Sequence, residues 1–150
     1  MPQSLSQVYV HRFFSTKGRE PLLLGSRRGP MHAYLAAVLN NHDSPAIRAG
    51  GTADHIHALL CLSKNRGLAD VGEEIKTNSS WWIKTQGRGV GGFHWQNGYG
   101  GFSVSPGELD QVVKYIEDQE RHHRALSFQD EYRRFLERYQ VEYNEQYVWD

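Results

Sequence analysis

The chain has 150 residues, with 17 Lys+Arg against 17 Asp+Glu and one cysteine. Zero formal net charge excludes a polycation that grips duplex DNA by bulk charge, so any nucleic-acid contact must come from a local patch. The lone thiol, Cys61, excludes an internal disulfide and a four-cysteine zinc site.

The length suits a single domain over residues 1–150. No apolar run is long enough for a signal peptide or a membrane span, so a cytoplasmic setting and no membrane partner are expected. In chain order, residues 8–14 (VYVHRFF) are β-branched and aromatic and predict a strand. Residues 16–29 carry Gly18, Pro21, Gly25 and Gly29 and predict a loop. Met31, Leu35, Val38 and Leu39 fall at helical spacing. A short strand is expected over residues 46–49, then a turn at Gly50-Gly51 and a second strand over 55–62 (HIHALLCL).

Leu68, Val71, Ile75, Ser79 and Trp82 continue as a second helix. Residues 87–101 are rich in glycine and aromatics, and their GRGVGG lacks the Lys-Ser/Thr ending of a nucleotide-binding loop. A strand over 102–105 follows, and Pro106-Gly107 opens a third helix expected to reach about Leu126. A last helix is expected over 128–139. The order β-α-β-β-α-β-α predicts an α+β fold, a ferredoxin-like antiparallel sheet with helices on one face.

Two groups of residues carry candidate chemistry. His55 and His57 are separated by one residue, so on a strand both imidazoles share a face and form half of a divalent-metal site; two surface histidines on a strand edge would show the same spacing. On the third helix Tyr115 and Gln119 are one turn apart, with His122 on the same line at the border of the stripe Leu109, Val112, Val113 and Ile116. A tyrosine closing the core beside a solvated Gln and His would look alike. Lys76, Ser80 and Lys84 form a polar, basic face of the second helix that suits a phosphate backbone, and Trp81, Trp95 and Tyr99 are candidate base-stacking platforms. Lys17, Arg19, Arg27 and Arg28 form a further basic cluster. His11, His32, His42 and His94 have no spacing argument and are expected to be structural or exposed.

The blocks FFSTKGREP (13–21), GGTADHIHALLCL (50–62), IKTNSSWWIK (75–84), FHWQNGYGGFSVS (93–105) and YIEDQERHHRALSFQDEYRRFL (115–136) together resemble the single-tyrosine HUH transposases of the insertion-sequence-200/605 family. Asp118 stands where that family usually has Asn. The resemblance implies an HUH-nuclease fold in which His55, His57 and Gln119 hold Mg²⁺ or Mn²⁺ and Tyr115 is the nucleophile. It implies cleavage and rejoining of single-stranded or hairpin DNA at insertion-sequence ends, through a 5′-phosphotyrosine and a free 3′-OH. His122 and Lys114 are candidate helpers for loss of the phenol proton. It also implies a homodimer whose active sites are shared between subunits. The competing expectations are a domesticated relative that processes genomic repeats, a hydrolase in which water attacks, and a non-catalytic nucleic-acid-binding module.

Overall fold

The computed structural model describes residues 2–87 and 90–150, so part of the GRGVGG stretch, Arg88 and Gly89, lies outside the described residues. Strands β1 (Val8–Ser15), β2 (Ala46–Gly51), β3 (His55–Leu62) and β4 (Gly100–Val104) form one antiparallel sheet in the order β2-β3-β1-β4. The helices are α1 (Arg28–Asn41), α2 (Leu68–Ile83), α3 (Leu109–Glu117), the single turn α4 (Gln119–His122) and α5 (Phe128–Arg138). No described helix is long and apolar enough to cross a membrane.

The strands alternate as the period of the extended chain requires. Val10 and Phe14 of β1 and Ile56, Ala58 and Leu60 of β3 face α1 and α2, and form the main core with Met31, Leu35, Leu39, Val71 and Ile75. The other parity of the same strands is buried as well. Phe13 packs with Phe102 of β4 and with Phe128, Tyr132 and Leu136 of α5, while Leu59 and Val104 pack with Ile116 of α3. Helices therefore cover both faces, which corrects the expectation of helices on one face. The physical reason is that β1 is apolar or aromatic at Phe13 as well as at Val10 and Phe14, so neither face can be left to water.

Two further expectations change. Gly50 and Gly51 are not a turn: both pair with β3, opposite His57 and Ile56, and the chain reverses over residues 52–54. The third helix does not run to Leu126. It is interrupted at Asp118, where φ and ψ are −89° and 11°, resumes for one turn as α4, and gives way before α5, whose Ser127 cap accepts from Asp130 N at 3.1 Å.

Gly50 sets how closely α3 can approach. A Cβ there would lie 2.7 Å from Ile116 Cγ2 and 3.0 Å from the Ile116 carbonyl oxygen. The bare strand beside His57 thus lets α3 rest on the sheet and brings the residue before Ile116, Tyr115, over the histidine. At the opposite end, residues after α5 turn back along it. Arg133 is paired with Glu145 at 2.6 Å, and Gly98 N donates to the Asp150 carbonyl at 2.8 Å.

Gly50→Ala is expected to lower stability by about 1–3 kcal/mol, because backbone as well as side chain must give way. Urea denaturation checks this; an unchanged midpoint would mean that α3 does not sit at this distance.

Candidate active site

His55 and His57 arrive on one face of β3, as strand geometry requires, and both are fully buried. Each ring is held from behind. His55 Nδ1 lies 2.7 Å from Asp54 Oδ1 and 3.0 Å from Thr52 Oγ1, and His57 Nδ1 lies 2.7 Å from His11 Nε2. With Nδ1–H donated to these partners, both Nε2 lone pairs would face a common space, the tautomer a metal ligand needs.

That space is closed by α4 and α5. Gln119 places Oε1 2.8 Å from His55 Nε2. Glu131 places Oε1 2.9 Å from His57 Nε2, 3.1 Å from His123 Nε2 and 3.6 Å from His55 Nε2. Its second oxygen, Oε2, accepts from the Tyr115 hydroxyl and, at 3.0 Å, from Gln119 Nε2. Tyr115 stands over His57, with ring centroids 5.8 Å apart, and carries His122 stacked on it at 4.9 Å.

Burial shapes the charge states. Desolvation is the largest influence on His57 and on His11 and lowers both from the ordinary imidazole range, so both favour the neutral form. For Glu131 desolvation acts upward, but the charges and hydrogen bonds of His57 and His123, with His55 behind them, outweigh it and hold the carboxyl well below its usual range. Tyr115 is raised, by burial first and then by the neighbouring Glu131 anion, so the phenol keeps its proton in this arrangement. Asp54 is held down by His55 against the upward pull of burial.

The residues fit a divalent cation. His55, His57, His123 and Glu131 each offer a donor atom, and these atoms lie within 4.8 Å of one another. Gln119 Oε1 adds an amide oxygen at the same place. Imidazole nitrogens with a hard oxygen are a recognised donor mixture for first-row divalent ions.

The expected four, His55, His57, Tyr115 and Gln119, are thus brought together. The helpers divide: His122 lies against the Tyr115 ring, whereas Lys114 is exposed on α3 and the Tyr115 hydroxyl donates to Glu131 instead. The expected DNA face on α2 lies beyond the sheet from the site. Trp95 is a correction: it is buried in the α1/α2 core, with Nε1 donating to Ser79 at 2.9 Å, and offers no platform for a base. Tyr99 is covered by the Arg12 guanidinium 3.6 Å above its ring. Lys76 donates to the carbonyls of Gln96, Asn97 and Gly98 at 2.8, 3.1 and 2.8 Å, closing that loop, and burial followed by Arg12 lowers it to about 8. Trp81, Lys84 and, in part, Ser80 stay open to solvent.

Sequence reasoning missed Glu131, His11, Asp54 and His123. One signal was available. Phe128, Glu131, Tyr132 and Phe135 fall at i, i+3, i+4, i+7, so a carboxylate interrupts the apolar stripe of α5. A charge in such a stripe asks for a partner.

A family model described as "Transposase IS200 like" matches residues 4–119. No curated protein sequence matches the chain. Among solved structures, a protein from Deinococcus radiodurans R1 assigned as a transposase aligns at 20% identity and TM-score 0.62, over 79% of this chain and 98% of its own. A REP-associated tyrosine transposase bound to a REP hairpin aligns at 13% identity and TM-score 0.60, over 82% of this chain and 72% of its own. At these identities the two structures bear on the fold alone.

Asp54→Ala removes the acceptor behind His55 and is expected to weaken divalent-metal binding about 10- to 100-fold while the chain still folds. Calorimetric titration with Mn²⁺ checks this; wild-type affinity would contradict the orienting role.

Proposed function

Because the chain belongs to the IS200-like transposase family, we propose that it cleaves and rejoins single-stranded DNA with Tyr115 as nucleophile. One observation carries the reading: the Tyr115 hydroxyl, the Nε2 atoms of His55 and His57 and the Gln119 amide converge around a single carboxylate.

His55, His57 and Gln119 would hold the Mg²⁺ or Mn²⁺ ion. Such an ion, when bound, supplies positive charge that polarises the scissile phosphate and favours departure of the 3′ oxygen. The chain's own residues do the rest. His11 and Asp54 fix the tautomers. Stacking of His122 and edge-on packing of Phe135 against Tyr115 limit the directions its ring can take. The Tyr115 oxygen forms the new bond to phosphorus as the bond from phosphorus to the 3′ oxygen breaks. The Tyr115 hydroxyl is oriented by donation to Glu131 Oε2; the phenol proton is lost as the new bond forms, and the 3′ oxygen takes up a proton and leaves as a hydroxyl. The tyrosyl phosphodiester keeps the bond energy, so a second 3′-OH reverses the step and joins strands without ATP.

A cleft of about 260 Å³ lined by Tyr115, His122, Leu126, Glu131, Arg134, Phe135 and Arg138 reaches the nucleophile from solvent. Arg134 and Arg138 give it the local positive charge that the overall balance denies. The REP-associated relative is bound to a hairpin, which supports hairpin or single-stranded DNA as the partner here. Processing of host-genome repeats by a non-mobile relative would use the same chemistry. A homodimer is part of the reading; within one chain α3 rests on β2 and β3, which supports sites whose histidines and tyrosine come from the same chain, while exchange of tyrosine helices between subunits is the alternative assembly.

The test is incubation with single-stranded DNA from the flanking genomic element, read on a denaturing gel. Wild type with Mn²⁺ is expected to form a covalent adduct, and Tyr115→Phe to form none while folding and binding DNA normally. A wild-type yield of adduct from Tyr115→Phe would overturn the assignment, and cleavage that survives a chelator would overturn the metal site. Replacing Arg134 and Arg138 together by Ala is expected to weaken single-strand binding and flatten its dependence on salt by about 1–2 in log–log slope. Unchanged binding would place the DNA path elsewhere.

A further inference from the structure

We propose that Glu131 is itself a ligand of the divalent ion, so that the donor set is His55, His57, Gln119 and Glu131, and the ion and the nucleophile are linked through one side chain. The proposal rests on the reading of His55 and His57 as metal ligands, and adds a residue from a helix outside the stretch that matches the family model, residues 4–119.

Glu131 is 1% exposed, in the apolar stripe of α5 between Phe128 and Tyr132. A carboxylate is kept in such a place only by groups that replace water. Its ion-pair partners among the described residues are three imidazoles, His55, His57 and His123, with no lysine or arginine among them. A divalent ion among the same atoms would compensate the carboxylate fully.

The orientation of the carboxylate separates two duties. Oε1 faces the histidines, at 2.9 Å from His57 Nε2 and 3.6 Å from His55 Nε2. Oε2 faces away from them, toward the Tyr115 hydroxyl and the Gln119 amide. Ligation through Oε1 leaves Oε2 where it is, still accepting from Tyr115. One rigidly packed residue then sets the distance between the ion and the attacking oxygen. Glu131 is held for this by Ser127 at the start of α5 and by the packing of Phe128, Tyr132 and Leu136 on Phe13 and Phe102.

The donor chemistry also predicts which ion is preferred. Two imidazoles with a carboxylate suit Mn²⁺ and later first-row ions, whereas Mg²⁺ favours oxygen ligands and retained water. Mn²⁺ is therefore expected to bind at least about 10-fold more tightly than Mg²⁺.

Two measurements test the proposal apart from catalysis. The first is the wild-type crystal structure with Mn²⁺ alone, located by anomalous scattering. The expected result is Mn²⁺ on the two Nε2 atoms with a Glu131 oxygen in the first shell, at about 2.0–2.3 Å. Mn²⁺ held by His55, His57 and Gln119 with the Glu131 carboxylate outside that shell overturns it, as does no bound Mn²⁺. The second is calorimetry on Glu131→Gln, which keeps the shape of the side chain, with folding checked by near-ultraviolet circular dichroism in the absence of metal. Affinity for Mn²⁺ is expected to fall at least about 10-fold, and wild-type affinity overturns the proposal. The adduct assay is scored separately. An adduct without Glu131 ligation removes this proposal and leaves the nuclease reading; ligation without an adduct does the reverse.

Discussion

A carboxylate buried to 1% exposure is the constraint around which the rest of the molecule is arranged. Leaving Glu131 unpaired in the interior would cost several kcal/mol. Its pairing requires β3 to deliver two imidazoles, α4 to deliver an amide, and α3 to deliver a phenol, all within reach of one α5 side chain. None of those elements can move far without stranding the charge. The same contacts that satisfy Glu131 in the fold gather the groups that the proposed strand transfer would use, so packing and the proposed chemistry share one arrangement.

The sheet divides its labour by parity. Even-numbered residues of β1 and β3 serve stability, locking α1 and α2 over an apolar core. Odd-numbered residues of the same strands, His11, Phe13, His55 and His57, form the floor of the site. A fully packed face behind the floor keeps the histidines at fixed spacing. On the working face, aromatic rings crowd His57 and Tyr115, with Phe13 at 5.2 Å from the first and Phe135 at 5.8 Å from the second. Gly50 completes the arrangement from the side by lacking a side chain, which is why α3 can lie directly beside the floor.

How much of this was legible in the sequence follows from the range of the interactions. The presence and order of the four strands, the main helices and the shared face of His55 and His57 rest on local periodicity and were legible, whereas the end of β2, the start of β4 and the end of α3 were not. Tyr115 and Gln119 are a local pair as well, one helical turn apart, and the family resemblance assigned their roles. His11 was passed over because its importance lies in the pairing of β1 with β3, which sets Phe13 against His57 and so brings His11 alongside it. Trp95 was read as a candidate base-stacking platform because a glycine-rich loop gives no period from which to judge burial; it is held instead by Phe14, Phe93 and Ser79. The coverage of both faces escaped for a related reason. The apolar residues of α5 and α3 were visible, but nothing local says which side of a sheet a late helix will choose.

The claim that most depends on the three-dimensional arrangement is that a single chain supplies both the histidine pair and the tyrosine of one site. Mixing separately purified Tyr115→Phe and His57→Ala chains, under conditions where subunits exchange, tests it directly. Every self-contained site in the mixture then carries one defect, so no covalent DNA adduct is predicted at any ratio. Adduct formed by the mixture, with neither parent active alone, would contradict the account and place the tyrosine helix of one subunit on the histidines of another.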